Sequence, residues 1–262
     1  MKIVTQINFV FLFLLIGLSG IYAQKQPVRL KALCYNIRFG ELTSLEELAA
    51  FIKEQEPDVV ALQEVDCRTR RELTPRQHGK DFITELGFHT GMLTAYGKTI
   101  PYAGGYYGIG ILSKYPLATV ERIYLPKTEN GKEQRAVLVA DVEYSEGQYF
   151  TFACTHLDYT NTEERQVQVK KLNEVLLNKT NPVIIAGDFN ACPDSKEIGE
   201  GMMSAWKPLC KMEPTSPADA PRNQIDYIFC YPKNKWAIVE ATTCQVQLSD
   251  HLPISAIVEL IK

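Results

Sequence analysis

The stretch Pro182-Val183-Ile184-Ile185-Ala186-Gly187-Asp188-Phe189-Asn190 begins as a run of apolar, mostly β-branched residues. Such a run is typical of a strand that is buried on both faces. It ends at Gly187, which is followed by the Asp188 carboxylate and the Asn190 carboxamide. Buried carboxylates are costly unless they are paired or bind a cation, so this strand end indicates a metal-binding or water-activating site. The alternative is a strand that runs into an ordinary turn rich in Asp and Asn.

Length and composition predict one globular domain. The chain has 262 residues, of which 45% are hydrophobic and 23% charged, and its formal net charge is −3. We therefore expect a single domain over residues 24–262 and a monomer. Proteins devoted to long polyanions usually carry an excess of basic residues, so this composition disfavours a general nucleic-acid binder.

The first 23 residues have the pattern of a signal peptide. Lys2 makes the amino end positive, residues 9–18 form an apolar run, and Ala23 is a small residue suited to cleavage. The apolar run is about half of the ~20 residues that a membrane-spanning helix needs, so we expect no permanent membrane span. The pattern predicts cleavage after Ala23 and a secreted or periplasmic protein.

The seven cysteines are an odd number for a chain sent to an oxidising compartment. Cys34, Cys154 and Cys230 lie in apolar, strand-like runs and are interpreted as small core residues. Among the cysteines in or near loops, Cys192 and Cys210 are the pair that we predict to form a disulfide. The Cys and His spacing does not resemble that of a zinc site.

Capping and turn signals predict two supersecondary features. Ser44 has capping-box spacing to the glutamate three residues later, which predicts a helix that begins there. Residues 134–143 and 148–157 predict two strands of a hairpin joined by a Glu-Gly turn. This hairpin would bring Arg135 and His156 to the same end of a sheet.

Four further segments are predicted from less regular patterns. Residues 88–95 predict a strand, residues 96–107 a Gly- and Tyr-rich loop, and residues 194–205 a helix. The polar segment 66–80 contains five basic residues. It predicts either a solvated loop or a contact to a substrate phosphate.

Polar side chains collect at the ends of the otherwise apolar segments. A sheet that aligns these ends would gather carboxylates, amides and imidazoles in one pocket, where a hard cation would compensate the negative charge. All-oxygen ligation by Glu and Asp favours Mg²⁺, with Mn²⁺ or Ca²⁺ as alternatives, over zinc. The residues concerned are Asn36, Glu64, His156, Asp188, Asn190, Asp226, Asp250 and His251.

Seven short motifs follow one another along most of the chain. They are Tyr35-Asn36-Ile37, Leu62-Gln63-Glu64-Val65, Tyr106 through Ser113 (YYGIGILS), Thr155-His156-Leu157, Gly187-Asp188-Phe189-Asn190, Ile225-Asp226-Tyr227 and Ser249-Asp250-His251. In this order they resemble the endonuclease/exonuclease/phosphatase superfamily of metal-dependent phosphoesterases. The resemblance implies an α/β fold, a four-layer α/β sandwich in which two packed mixed β-sheets are flanked by helices, with the site at one edge.

The resemblance also implies where a metal ion and the attacking water would be held. Glu64 would be the principal metal ligand, with Asn36 beside it and Asp250 able to join or to hold a second ion. Asp188 would orient and deprotonate the water. Arg135, at the same end of the sheet as His156, is predicted to bind substrate.

The remaining roles concern the phosphoryl group. By the same resemblance, Asn190 and His156 would hold its oxygens, and His251, paired with Asp226, would stabilise the charge that develops on phosphorus. Tyr106 stands where related enzymes carry a tyrosine that contacts the phosphate. These roles agree with the chemistry of phosphoryl transfer, which needs positioning and charge neutralisation more than covalent work.

Two differences from abasic-site endonucleases indicate which branch of the superfamily the chain resembles. Arg38 stands where abasic-site endonucleases often carry Asp, and those enzymes lack the Thr-His-Leu motif around His156. In having this histidine, the chain is similar to the secreted deoxyribonuclease, sphingomyelinase and inositol-phosphatase branches. An abasic-site repair enzyme is therefore disfavoured.

The leading hypothesis is a secreted, Mg²⁺-type phosphodiesterase that acts on a lipid headgroup or another small phosphodiester. A secreted nuclease acting on DNA or RNA is the alternative, since the arginines of 68–76 and nearby tyrosines could bind a strand by charge and stacking. A phosphomonoesterase comes third. A non-catalytic binding module on the same fold belongs to a different class, and the presence of Glu64, Asp188 and His251 disfavours it.

Overall fold

The computed structural model describes residues 27–261, which form two six-stranded sheets with helices on their outer faces. The strands are β1 (Val28–Asn36), β2 (Val59–Cys67), β3 (Leu93–Tyr102), β4 (Gly105–Ser113), β5 (Leu117–Tyr124), β6 (Ala136–Ser145), β7 (Gln148–His156), β8 (Val183–Asp188), β9 (Lys207–Pro208), β10 (Asp226–Tyr231), β11 (Trp236–Thr243) and β12 (Ile254–Leu260). The helices are α1 (Leu45–Gln55), α2 (Phe82–Thr90) and α3 (Thr162–Leu176), with a π-helical turn at Glu197–Met202 and 3₁₀ turns at Arg38–Gly40, Pro75–Gln77 and Lys233–Lys235. The predicted signal peptide over 1–23 lies outside the described residues.

Each sheet contains one parallel pair of strands among antiparallel neighbours. The first sheet has the order β11-β12-β1-β2-β4-β3, and the second has the order β5-β6-β7-β8-β10-β9. The parallel pairs are β1 with β2 and β7 with β8. Because the carboxyl ends of parallel neighbours meet at one edge of a sheet, each sheet presents two such ends side by side.

The alternation along β1 shows how the layers form. Leu30, Ala32 and Cys34 project into the core between the two sheets, while Leu33 and Tyr35 project outward and pack with the buried faces of α1 and α2. The apolar face of α3 packs on the other sheet. The predicted four-layer α/β sandwich is therefore confirmed.

The predicted capping box at the start of α1 is also confirmed. The Ser44 hydroxyl accepts a hydrogen bond from the Glu47 backbone N–H at 3.2 Å, and the Glu47 carboxylate accepts one from the Ser44 N–H at 3.0 Å. Two backbone donors at the helix start are thereby satisfied.

Each helix within residues 27–261 is too short or too polar to span a lipid bilayer.

We expect Ser44→Ala to lower the free energy of unfolding by about 1 kcal/mol, because it removes the acceptor for the Glu47 N–H. The measurement is urea unfolding of the purified protein followed by circular dichroism. Ser145→Ala, at an exposed position of the hairpin between β6 and β7, is the matched control and should change stability much less. Equal unfolding midpoints for the two variants would contradict a stabilising cap.

The segment 88–107 differs from its prediction. Residues 96–107 belong to the β3–β4 hairpin, where Ala103 and Gly104 make the turn in the left-handed region, with φ of 44° and 80°. The strand predicted over 88–95 begins only at Leu93, because α2 continues to Thr90 and ends at Gly91 with φ 73°. The glycine and tyrosine content that indicated a loop instead serves a tight turn and the hairpin beside it.

Two other predictions are wrong. The helix predicted over 194–205 is reduced to the π-helical turn, where Gly199 and Gly201 weaken a regular helix and Gly201 lies close to Val169 of α3. The disulfide predicted between Cys192 and Cys210 is not formed, and the cysteines within residues 27–261 all carry free thiols. Cys210 instead packs in the apolar core.

Candidate active site

The register of the second sheet places three site residues in one row. His156 is the register partner of Asp188 in the parallel β7–β8 pair, and Asp188 is the partner of Asp226 in the antiparallel β8–β10 pair. All three side chains are buried. The strand end at Asp188 is therefore part of a cluster, and it is also followed by a turn of the Asp- and Asn-rich kind, because Asp188 Oδ1 accepts the Asn190 backbone N–H at 2.8 Å.

The first sheet contributes Asn36 and Glu64 from the point where the parallel pairing of β1 and β2 ends, at Asn36 opposite Gln63, although β2 itself continues to Cys67. Asn36 is the last residue of β1, and Glu64 lies in an irregularity of the β2–β4 pairing between Leu62 and Val65. Glu64 has φ 59°, a left-handed conformation that non-glycine residues rarely adopt. Such bulges re-aim a side chain beside functional sites, and here the bulge turns Glu64 into the cavity.

Asn36 links the two sheets within the site. Its amide nitrogen donates to Glu64 Oε1 at 3.2 Å and to Asp188 Oδ2 at 3.0 Å, and its Oδ1 accepts the Arg38 backbone N–H at 3.0 Å. Burial raises the pKa of Glu64, against the lowering effect of Asn36. Burial and then the Asp226 carboxylate raise the pKa of Asp188. A nearby positive charge would therefore stabilise the ionised forms of both carboxyl groups.

His251 forms a charged pair with Asp226. The His251 Nδ1 lies 2.9 Å from Asp226 Oδ2, and its Nε2 lies 3.8 Å from Asp188 Oδ2. Burial alone would lower the pKa of His251, but Asp226 and then Asp188 outweigh it and raise that pKa to about 10. His251 is thus a protonated donor whose ring is oriented by Asp226.

His156 has the opposite electrostatic setting. Its Nδ1 accepts a hydrogen bond from Arg135 Nη1 at 3.2 Å, and its Nε2 lies 3.6 Å from Asp188 Oδ2. Burial, and then the positive charge of Arg135, lowers the pKa of His156 well below its usual range. The predicted proximity of Arg135 and His156 is confirmed, and this contact leaves the proton of the neutral ring on Nε2.

These groups border a cavity of about 310 Å³. Six predicted residues line it, whereas Asn36 and Asp226 stand behind it and act through their bonded partners. Sequence reasoning missed several other wall residues, chiefly aromatic and charged side chains. The lining residues are Phe39, Glu64, Arg71, Ile100, Tyr102, Tyr107, Glu133, Arg135, His156, Tyr159, Asp188, Asn190 and His251.

The tyrosine of β4 that faces the cavity is Tyr107 rather than the predicted Tyr106. Tyr106 is 44% exposed, lines a neighbouring groove with Arg68, and has the Lys98 ammonium 4.7 Å from its ring centre. Neighbouring residues of a strand point to opposite faces, and Tyr107 shares its face with the core residues Ile109 and Ile111. The sequence prediction did not apply this alternation to Tyr106 and Tyr107, because it treated residues 96–107 as a loop, whereas β4 begins at Gly105.

Asp250 is placed differently from the other predicted metal ligands. Its Oδ2 lies 2.7 Å from Arg38 Nη1, so its carboxylate is already engaged by a cation of the chain. Arg38 is the residue whose presence departs from the abasic-site pattern. The role of Asp250 as a metal ligand stays a prediction, and binding there would have to compete with Arg38.

The donor set fits a hard divalent cation. The carboxylates of Glu64 and Asp188 line the cavity and share the Asn36 amide, and ligand atoms of Asp188, Asp226 and His251 lie within 4.8 Å of one another. Oxygen donors of this kind match Mg²⁺, Mn²⁺ or Ca²⁺ better than zinc. Glu64, with Asn36 beside it, is the predicted ligand, and the Asp188–Asp226–His251 group is a second place for an ion.

Comparisons with known proteins agree with this arrangement. The family model described as Endonuclease/Exonuclease/phosphatase family matches residues 33–251. The chain is 28% identical over 182 residues to exodeoxyribonuclease III of Haemophilus influenzae, a match that spans 66% of this chain and 61% of that protein. It is also 28% identical over 263 residues to the protein YbhP of Escherichia coli K12, over 90% of this chain and 99% of the relative.

Among solved structures, one similar fold is the endonuclease/exonuclease/phosphatase of Beutenbergia cavernae, with a TM-score of 0.74 and 22% sequence identity. The match covers 88% of this chain and 72% of that one. The strand-end cluster, the sandwich and the family match over 33–251 lead to the same conclusion. The chain belongs to the endonuclease/exonuclease/phosphatase family, whose members are metal-dependent hydrolases of phosphoester bonds.

Proposed function

We propose that this protein is a secreted or periplasmic phosphodiesterase that hydrolyses a small phosphodiester by attack of water activated by Asp188. The observation that carries the proposal is the row His156–Asp188–Asp226 in the second sheet, with Glu64 and His251 at the same cavity. The cavity therefore has a proton acceptor (Asp188), a positively charged hydrogen-bond donor (His251) and a neutral hydrogen-bond donor (His156) in its wall. A non-catalytic binding module would not need all three.

The chain's own residues divide the chemistry between them. Asp188 accepts the proton of the attacking water at Oδ2, the oxygen on which Asn36, His156 and His251 converge at 3.0, 3.6 and 3.8 Å. Protonated His251 donates from Nε2 to a phosphoryl oxygen while Asp226 holds its Nδ1. His156, through Nε2–H, and Asn190 orient the remaining oxygens.

Glu64, with Asn36 beside it, would hold the divalent cation. When bound, the cation supplies neutralisation of the negative charge on the phosphoryl oxygens. Arg135 would bind the substrate from the Nδ1 side of the His156 ring. Its Nη1 lies 3.2 Å from His156 Nδ1. We favour Mg²⁺ because the donor atoms are oxygens and because Mg²⁺ is usually bound by only one or two protein carboxylates.

The substrate side of the proposal rests on the charge and shape of the chain. A net charge of −3 and a walled cavity of about 310 Å³ favour a lipid headgroup or another small phosphodiester over a polymer. We propose that the protein acts as a monomer. A nuclease is the second candidate, favoured by the 28% identity to exodeoxyribonuclease III.

The proposal predicts metal-dependent hydrolysis of bis-p-nitrophenyl phosphate by purified residues 24–262. We expect release of p-nitrophenol with Mg²⁺ or Mn²⁺, none with EDTA, and slower release from the monoester p-nitrophenyl phosphate. A panel of phospholipids and single- and double-stranded DNA then separates the two candidates. Faster cleavage of DNA than of every small diester would favour the nuclease, and hydrolysis that survives EDTA would reject the metal-dependent mechanism.

A further inference from the structure

Arg71 is a charged wall residue of the cavity that the reaction above does not use. Its Nε and Nη2 donate to the two oxygens of Asp66, both at 3.1 Å, in a bidentate pair. Asp66 is fully buried and also accepts the Thr69 hydroxyl at 2.7 Å. The pair holds the guanidinium in one orientation, since a planar fork matches a carboxylate geometrically.

The Arg71 guanidinium lies over the faces of two aromatic rings and close to a third. Its Cζ lies 3.9 Å from the centre of the Phe39 ring and 4.1 Å from that of Tyr102, with Tyr107 at 5.5 Å. Stacking of this kind stabilises a cation and fixes its plane. Within residues 27–261, Nη1 donates to no protein group, so this edge remains for a ligand in the cavity.

The same stacking decides which ligands the wall would reject. A choline or other quaternary ammonium group needs aromatic faces, and the faces that Phe39 and Tyr102 turn toward Arg71 are already occupied by a cation of the chain. Arg71 would also repel a second positive charge at short range. An oxygen acceptor on the ligand, by contrast, would complete the hydrogen bonding of Nη1.

We infer that Arg71 forms, with Phe39, Tyr102 and Tyr107, a subsite for the alcohol part of the substrate, and that this alcohol carries further hydroxyl or other oxygen acceptors, as glycerol, a sugar or another polyol does. The inference rests on the proposed function, because the subsite extends the cavity that would hold the phosphoryl group. It excludes choline-type alcohols from the preferred substrates.

The test compares two phosphomonoesters of primary alcohols as ligands of the full mature chain. Glucose 6-phosphate and phosphocholine are titrated calorimetrically in Mg²⁺, with inorganic phosphate as the probe of the phosphoryl end, and ³¹P NMR verifies that the ligands stay intact. We expect glucose 6-phosphate to bind at least about tenfold more tightly than phosphocholine, as suits a hydrogen bond from a charged donor.

Arg71→Met should reduce this affinity ratio to about one, while Arg70→Met, at the exposed neighbouring arginine, should preserve it. Because Arg71→Met leaves Asp66 buried without its partner, the double variant Asp66→Asn/Arg71→Met is measured beside it, with thermal melts of both. Arg71→Lys keeps the charge but loses the fork and the stacking, so it should give an intermediate ratio.

Equal or tighter binding of phosphocholine by the wild type, or an unchanged ratio in the Arg71 variants, would overturn the subsite. A complete loss of binding would have a different meaning, because it concerns the phosphoryl site and not the Arg71 subsite. If inorganic phosphate and both monoesters fail to bind the wild type, the phosphoryl site itself is misassigned, and the proposed function falls together with the subsite.

Discussion

Asp188→Asn should lower the turnover number for bis-p-nitrophenyl phosphate by about 10²–10⁴-fold, the usual contribution of a positioned general base. Asparagine has nearly the same shape as aspartate but cannot take the proton of the attacking water. The loss should appear in kcat, since the cation site at Glu64 and the wall at Arg71 are left unchanged. Steady-state kinetics of the purified variant measure it.

The melting temperature separates this chemical role from a structural one. Burial and the Asp226 carboxylate raise the pKa of Asp188, so the folded state disfavours its ionised form at neutral pH. A neutral asparagine removes that repulsion, but its NH₂ group replaces one of the two oxygens that accept from the Asn36 amide and the Asn190 N–H, so we expect a modest fall in the melting temperature of about 2–4 °C. Asp194→Asn, at an exposed position, is the control that should keep normal turnover. Near-normal turnover of Asp188→Asn would reject Asp188 as the base.

The strand-end cluster was predictable because its positions follow from sheet geometry. A buried apolar run shows where a strand ends, and parallel neighbours bring such ends to one edge. This is how His156 and Asp188 come to stand side by side, and the antiparallel strand β10 adds Asp226 at its first residue. The same reasoning predicted Arg135 beside His156, because the two strands of a hairpin place the start of one against the end of the other.

What could not be predicted depends on backbone irregularities and on contacts between distant segments. Residue pattern does not reveal the left-handed conformation of Glu64, which arises from the bulge between β2 and β4. Nor does it show that the Arg71 guanidinium stacks on Phe39 and Tyr102, which come from two other segments of the chain. The choice of Tyr106 over Tyr107 followed from the wrong loop prediction over 96–107, because strand alternation distinguishes the two tyrosines only once both are placed in β4.

Glu64→Gln should weaken the binding of Mn²⁺ by at least about 10–100-fold, the loss that is typical even when an outer partner of a metal site is changed. The Glu64 carboxylate lines the cavity, and burial raises its pKa, so a cation beside it relieves the cost of its charge. Glutamine keeps the length of the side chain and removes the charge. Titration calorimetry or electron paramagnetic resonance of Mn²⁺ measures binding without any need for turnover.

Glu121→Gln, at an exposed position of β5, is the matched control and should bind Mn²⁺ as the wild type does. Full affinity in Glu64→Gln would instead move the ion to the Asp188–Asp226–His251 group. We expect the first outcome for a physical reason. An ion at that group must compete with the charged bond between His251 and Asp226 at 2.9 Å, and an ion at Asp250 with the pair to Arg38 at 2.7 Å. Among residues 27–261, Glu64 accepts a hydrogen bond only from the Asn36 amide, so it can bind a cation without breaking a charged pair there.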